Sequence, residues 1–285
     1  MPVLLLALLL LASCAAPPSP PPSLTSPARI VSLTPALTEI LFSLDLGDRV
    51  VGVTEYCDRP PEAKTRPKVG GYVNPSVEAV LALKPDLVVV SPGPGNRDAV
   101  QAMDRAGLTI AIVPAESLDE TLAAIDAVAS AAGVPERGRR LVASIRNRLD
   151  AVTRRVAQRP RVRVLFSVQV DPIIAAGRGT LPSQIVEAAG GLNVVDAERY
   201  PKLGIESVIA LAPEVVLQSR MDVAHGDGSA ERAAWMRWRA LPAIASGRLV
   251  VLPDDASLRP GPRVAEAVEQ IAAILHPEAA GGAHP

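Results

Sequence analysis

The stretch VEAVLALKPDLVVV (77–90) returns 128 residues later as IESVIALAPEVVLQ (205–218), with identity at Glu78/Glu206, Val80/Val208, Ala82/Ala210, Leu83/Leu211, Pro85/Pro213 and Val88/Val216. Each copy reads as a helix, a stop at proline and a strand. The stop is steric, because a proline ring disfavours helical backbone in the residue before it, and the unbroken apolar run that follows fits a strand buried on both faces. Two α/β units rich in Ala, Leu and Val share some of this by composition. Composition does not account for the matched glutamate that opens each helix.

Outward from these copies the alternation continues. From Arg29 a strand (29–33) leads into a helix with Thr34 as its cap, Pro35 at its first position and an apolar stripe of Leu37, Ile40, Leu41 and Leu44. Strand-like runs at 50–53, 86–91 and 109–113 complete an N-terminal lobe over 29–134. At 135–159 the pattern changes to a charged segment whose apolar residues Leu141, Ile145, Leu149, Val152 and Val156 keep to one face. This predicts one helix of about 24 residues, ~36 Å long at 1.5 Å per residue. Strand and helix patterns resume with 161–168, 214–218, 248–252 and a last helix near 262–275, giving a C-terminal lobe over 160–277 and a tail at 278–285. The expected fold is α/β, with two Rossmann-like lobes joined by one long α-helix.

Bulk properties exclude some functions. The 285 residues are 48% hydrophobic and 21% charged, enough apolar content for a large core. With 29 Lys and Arg against 30 Asp and Glu, the chain lacks the positive excess that a nucleic-acid surface requires. The opening MPVLLLALLLLASC is too short for a membrane span of ~20 residues and fits the apolar region of an export signal. Leu11-Ala12-Ser13-Cys14 resembles the bacterial lipoprotein signal, so residues 1–14 are expected to be a signal ending at a lipidated Cys14. The Pro/Ser-rich AAPPSPPPS that follows reads as a tether over 15–28. Cys57 is then the only other thiol, and the exported domain has no internal disulfide.

RIVSLTPALTEILFSLDLGDRVVGVTEYCDRPPEA (29–63), KVGGYVNPSVEAVLALKPDLVVV (68–90) and the long central helix together resemble the periplasmic cobalamin-binding proteins of ABC importers. The wider family comprises substrate-binding proteins whose lobes share a single linking helix, and its members carry corrinoids, ferric siderophores or haem. The resemblance implies that Tyr56, in YCDRPP, Tyr72, in GGYVNPS, and Asp255 and Arg259, in DASLRPGPR, contact the ligand. It also implies that Glu78 and Glu206, one per lobe, dock onto a permease dimer that works with ATPase subunits. The implied protein is a lipid-anchored monomer at the cell envelope that captures a corrinoid, most simply cobalamin, and catalyses nothing. A ferric siderophore or haem carrier, and an exported ligand sensor without a transport role, are the alternatives. Positions where the cobalamin binder compared carries aromatic cleft residues hold Pro-Gly near Pro92, Lys202-Leu203 and Ile173-Ile174.

The residues themselves weigh in the same direction. Tyr56 and Tyr72 fall between strand and helix, where open α/β sheets form clefts, and tyrosine offers an apolar face with a polar tip. Asp255 and Arg259 suit hydrogen bonding to amide or phosphate groups, though such loop residues are ordinarily solvated. Cys57 is a weak candidate metal ligand and more often a buried core residue. Gly93-Pro94-Gly95 lacks the third glycine of a dinucleotide loop, and His225, His276 and His284 are too dispersed in sequence for a histidine metal site.

Overall fold

In a computed structural model that describes residues 26–93, 95–220 and 226–280, strand and helix alternate through the first lobe from the first described element. The signal segment, Cys14 and the tether up to residue 25 lie outside the described residues. The N-terminal lobe runs β1 (Ile30–Ser32), α1 (Pro35–Ser43), β2 (Val50–Val53), α2 (Val77–Ala82), β3 (Leu87–Val90), α3 (Arg97–Arg105), β4 (Ile110–Ile112) and α4 (Leu118–Ala131). The linking helix α5 (Pro135–Val156) follows. The C-terminal lobe continues with β5 (Val162–Val170), β6 (Ile173–Ala175), α6 (Leu181–Ala188), β7 (Gly191–Asn193), β8 (Lys202–Leu203) and α7 (Ile205–Leu211). It closes with β9 (Val215–Gln218), α8 (Ser229–Met236), α9 (Pro242–Ala245), β10 (Leu249–Val251), α10 (Val264–Leu275) and α11 (Pro277–Ala280).

The two sheets repeat one plan. In the first, the order β2-β1-β3-β4 is wholly parallel. In the second, β5 pairs in parallel with β7 and β9, and β9 with β10, so β7-β5-β9-β10 follows the same path. The far end of the long β5 also pairs antiparallel with β6, which pairs with β8, an addition the first lobe lacks. Three of these short strands, β6, β7 and β8, were not expected from the sequence.

The repeated stretch folds the same way twice. Residues 77–90 and 205–218 match in burial at every position except 79/207. The helix stop is sharper than a proline effect alone, for Lys84 and Ala212, each just before the proline, turn left-handed at φ 46° and 41°. The last carbonyls of a helix have no partner within it. In each lobe an arginine at the start of the neighbouring strand collects them. Arg29 donates to the Leu83 and Lys84 carbonyls at 2.7 to 3.2 Å. Arg163 donates to the Leu211 and Ala212 carbonyls at 2.5 and 3.2 Å. The acidic residue after each proline accepts from the same arginines' backbone N–H, Asp86 at 2.9 Å and Glu214 at 2.8 Å.

Helix α5 is no free-standing rod. Its stripe of Val142, Ile145, Leu149, Val152 and Val156 is buried in one continuous apolar core that also takes residues of β1, α1 and α4 from the first lobe and of β5, α6 and α10 from the second. Burying each such side chain is worth about 1.5–3 kcal/mol. Arg148 adds a bidentate pair to Glu269 of α10 at 2.9 and 2.7 Å. The opposite faces of the sheets carry separate cores, under α2 and α3 in one lobe and under α7, α8 and α9 in the other.

Candidate ligand cleft between the lobes

In a parallel sheet covered by helices, the loops that leave the carboxyl ends of the strands form the natural binding crevice. Here those loops come from both lobes and meet. Leu118 N–H donates to Gln184 Oε1 at 2.6 Å, and Arg199 pairs with Glu116 at 2.6 Å, each contact joining one lobe to the other. Ala115 and Glu116 face Thr180, Arg199, Tyr200 and Leu258 around a cavity of about 180 Å³. A larger hollow of about 540 Å³ opens beside it on the first lobe, between Pro92, Gly93, Arg97, Ile112 and Glu116. A third, of about 370 Å³, lies at the ends of β5 and β9 near Gln169, Gln218 and Ser219.

Tyr72 reaches this region because the loop after β2 folds down onto the loop after β3. A Cβ on Gly93 would stand 3.0 Å from the Tyr72 hydroxyl, a tight approach, and one on Gly95 would stand 2.0 Å from Val73 Cγ1, which leaves no room for a side chain there. The Gly93 N–H is taken by the Asn96 side chain at 3.1 Å, so this amide is spent within the loop. Burial pushes the Tyr72 phenol up, and the Glu116 carboxylate pushes it further. Tyr56 lines none of the described cavities and is 63% exposed. Its loop is braced from below by Lys68, whose ammonium donates to the carbonyls of Thr54, Cys57 and Ala63 at 3.3 to 3.4 Å.

The second lobe supplies a tyrosine that the sequence reading missed. Tyr200 lines the interlobe cavity and is half exposed; burial raises its phenol, with Arg199 opposing and Glu116 adding. Tyr72 and Tyr200 therefore share Glu116 as a neighbour from opposite lobes. Arg199 holds a left-handed backbone, φ 62°, and the turn is fixed by paired bonds to the 177–178 strand end, Gly177 N–H to the Arg199 carbonyl and Arg199 N–H to the Arg178 carbonyl. The signal was present as Arg-Tyr-Pro at 199–201, immediately before the Lys202-Leu203 pair, which instead forms β8. Ile173 and Ile174 likewise form β6.

Asp255 and Arg259 come together, but with more company than the sequence implied. Arg259 pairs with Asp255 at 2.5 Å and crosses to Asp58 at 2.7 Å and Glu39 at 3.0 Å in the other lobe. Arg263 binds Glu39, Asp255 and Asp254. Burial opposes ionisation of Asp58, yet its bond to Arg259 prevails and holds the carboxyl below its ordinary range. Asp255 is buried and spent on arginines, Arg259 is itself mostly enclosed, and the more exposed members of the cluster are Asp58 and Asp254.

The remaining candidates lie elsewhere. Glu78 and Glu206 are exposed in the first turns of α2 and α7, and Ser76 caps α2 while also donating to Glu78 at 3.2 Å. Cys57 is buried with Thr38 and Thr54 hydroxyls 3.1 Å from its sulfur. Among the described residues no group of three or more His, Cys, Asp or Glu could hold a metal ion. Thr34 caps α1 in position only; its hydroxyl accepts from Ser91 N–H at 3.0 Å and ties α1 to the end of β3.

Two α/β lobes, strand-end loops converging on a shared cleft and a single linking helix define a two-lobed solute-binding protein. The chain belongs to the periplasmic binding protein family, whose model matches residues 30–256. A vitamin B12-binding protein of Vibrio cholerae serotype O1 is 32% identical over 250 residues, 87% of this chain and 88% of that protein. The uncharacterized ABC transporter substrate-binding lipoprotein YvrC of Bacillus subtilis is 30% identical over 262 residues, 88% of this chain and 81% of that protein. Among solved structures, the periplasmic vitamin B12-binding protein BtuF of Vibrio cholerae superposes with a TM-score of 0.76 at 32% identity, covering 90% of this chain and 99% of that one. The periplasmic haem-binding protein RhuT from Roseiflexus sp. RS-1 superposes with a TM-score of 0.77 at 32% identity, covering 88% and 98%.

Proposed function

We propose that this protein captures a corrinoid, cobalamin in the first instance, outside the cytoplasmic membrane and delivers it to the permease of an ABC importer, without catalysing a reaction. The carrying observation is a tyrosine from each lobe beside the cleft: Tyr200 lines the interlobe cavity, and the Tyr72 hydroxyl lies against Gly93, which lines the neighbouring hollow. Such rings suit a large ligand with a flat apolar face and a polar rim. The likeness to vitamin B12-binding proteins supports the choice of ligand, and so does charge. Arg199 and Arg259, which span the lobes, are already matched by Glu116 and by Glu39, Asp58 and Asp255. A cleft with its spanning cations neutralised favours the amide rim of a corrinoid over the two carboxylates of haem.

Haem is the second reading, favoured by the exposed phenol of Tyr56, since a tyrosinate is a competent axial ligand to haem iron. Titration of the purified protein with cobalamin, cobinamide, haem and ferric siderophores separates the two. Tight saturable cobalamin binding with weak or absent haem binding is the expected result; the reverse order overturns the corrinoid reading.

For delivery, Glu78 and Glu206 serve as the two docking carboxylates, one for each permease subunit. The lipid on Cys14 holds the protein at the membrane, in keeping with its likeness to a substrate-binding lipoprotein. Cys14→Ala should then release it from the membrane fraction, and equal retention of parent and variant would remove the anchor from this account.

A further inference from the structure

The two copies of the repeated stretch expose more than a glutamate. Leu81 and Ile209 occupy the same place in the repeat, one turn after Glu78 and Glu206, and they are 38% and 56% exposed. Residues three apart share a helical face, so each lobe presents a carboxylate with a bare aliphatic side chain beside it. The equivalence is enforced by the backbone: both helices end in the same left-handed turn and the same arginine clasp, which holds the two faces in matching frames. Scattered exposed aliphatics are ordinary, and the repeat carries this exposure into both lobes; what sets the pair apart is that each aliphatic lies three residues from an exposed carboxylate on the same helix.

We propose that Leu81 and Ile209 are a pair of apolar docking contacts, each seated in an apolar recess beside a basic residue on one of two equivalent permease subunits. This rests on the docking reading of Glu78 and Glu206 and extends it. A partner with two-fold symmetry offers the same recess twice, and a single chain engages both only by displaying the same feature twice. The carboxylates steer and orient the encounter, whereas the desolvated aliphatics hold the complex once formed.

The test measures binding of the full-length protein to the cognate permease–ATPase complex in lipid nanodiscs at low and high salt. Variants are Leu81→Ser with Ile209→Ser, each single change, and Glu78→Gln with Glu206→Gln as the comparison. The double serine variant should bind at least roughly tenfold more weakly at both salt concentrations with the parent's salt dependence, Ile209 contributing the larger share because it is more exposed. The double glutamine variant should flatten the salt dependence instead. Cobalamin affinity and melting temperature should match the parent in the serine variants, because both side chains are surface residues. If the parent binds and the glutamine variant weakens it while the serine variant binds within twofold of the parent, this inference fails and the carboxylate reading stands. If the parent does not bind the complex, both fail. A concentration-dependent dimer of the parent that the serine variant abolishes would reassign the pair to self-contact and overturn the proposal.

Discussion

Arg263, just ahead of α10 in the second lobe, grips both oxygens of Glu39 on α1 of the first, Nε to Oε2 at 2.7 Å and Nη2 to Oε1 at 3.1 Å. Both side chains are nearly enclosed. With Arg259 the cluster holds two cations against four carboxylates, Glu39, Asp58, Asp254 and Asp255. Removing a cation therefore costs more than removing an anion. Arg263→Ala should destabilise the fold by about 3–5 kcal/mol, the usual cost of stranding a buried partner, and Glu39→Gln by less, because it lowers the acidic excess. Chemical denaturation checks the order. A larger loss in Glu39→Gln would refute this account of the cluster.

The same cluster sets an acid response. Asp58 is held below its ordinary pKa in the folded protein, so by linkage its contribution is present above the unfolded value, about 3.9, and is lost as pH falls through the lower folded value. Denaturation midpoints should show no Asp58 contribution to their slope between pH 5 and 7 and should fall below about pH 4. Arg259→Met removes the partner that lowers Asp58, and the variant's acid transition should be shallower than the parent's. An identical slope in both would detach Asp58 from this behaviour.

How far the residues foretold the site depends on whether the signal was local. The repeated helix, proline and strand was legible because every part of it lies within fourteen residues and each part has its own local cause. β6, β7 and β8 were not, since strands of two or three residues carry too little periodicity to register. Glu39 was hidden for another reason. It interrupts the apolar face of α1 between Leu37 and Ile40, and its partner lies 224 residues away, beyond any local pattern. Asp255 and Arg259 were identified as a pair through the family resemblance, while their engagement with Glu39 and Asp58 appears only when the lobes are brought together.

Tyr200 gives a sharp test of the cleft. If its ring face packs on the ligand, Tyr200→Ala should weaken cobalamin binding roughly tenfold and Tyr200→Phe less than about threefold. Arg199→Ala should act differently. The Arg199 and Glu116 side chains are about 60% exposed, so the pair is worth at most about 1 kcal/mol, and its loss should change affinity by no more than about fivefold. Isothermal titration resolves both. A large loss with Arg199→Ala and none with Tyr200→Ala would shift recognition from stacking to charge and would favour an anionic ligand.

The continuity of the core through α5 limits how the lobes move. A hinge needs a few residues free to change backbone angles, but here the linking helix buries one face against both lobes, and its ends are covered by α4 and α10. Wide opening would expose Val142, Ile145, Leu149, Val152 and Val156 and would break the Arg148–Glu269, Glu39–Arg263 and Asp58–Arg259 pairs together. The Glu116–Arg199 bridge and the Leu118–Gln184 bond span the cleft more loosely, at exposed or half-buried side chains, so they are the interlobe contacts that cost least to part. Ligand entry should therefore proceed by local parting of the strand-end loops, with the lobes nearly fixed. Small-angle scattering with and without cobalamin should show a change in radius of gyration of no more than about 1 Å, as in binding proteins that are preorganised. A contraction of several ångströms would mean that α5 and the ion cluster yield on binding, and the restraint assigned to them would be wrong.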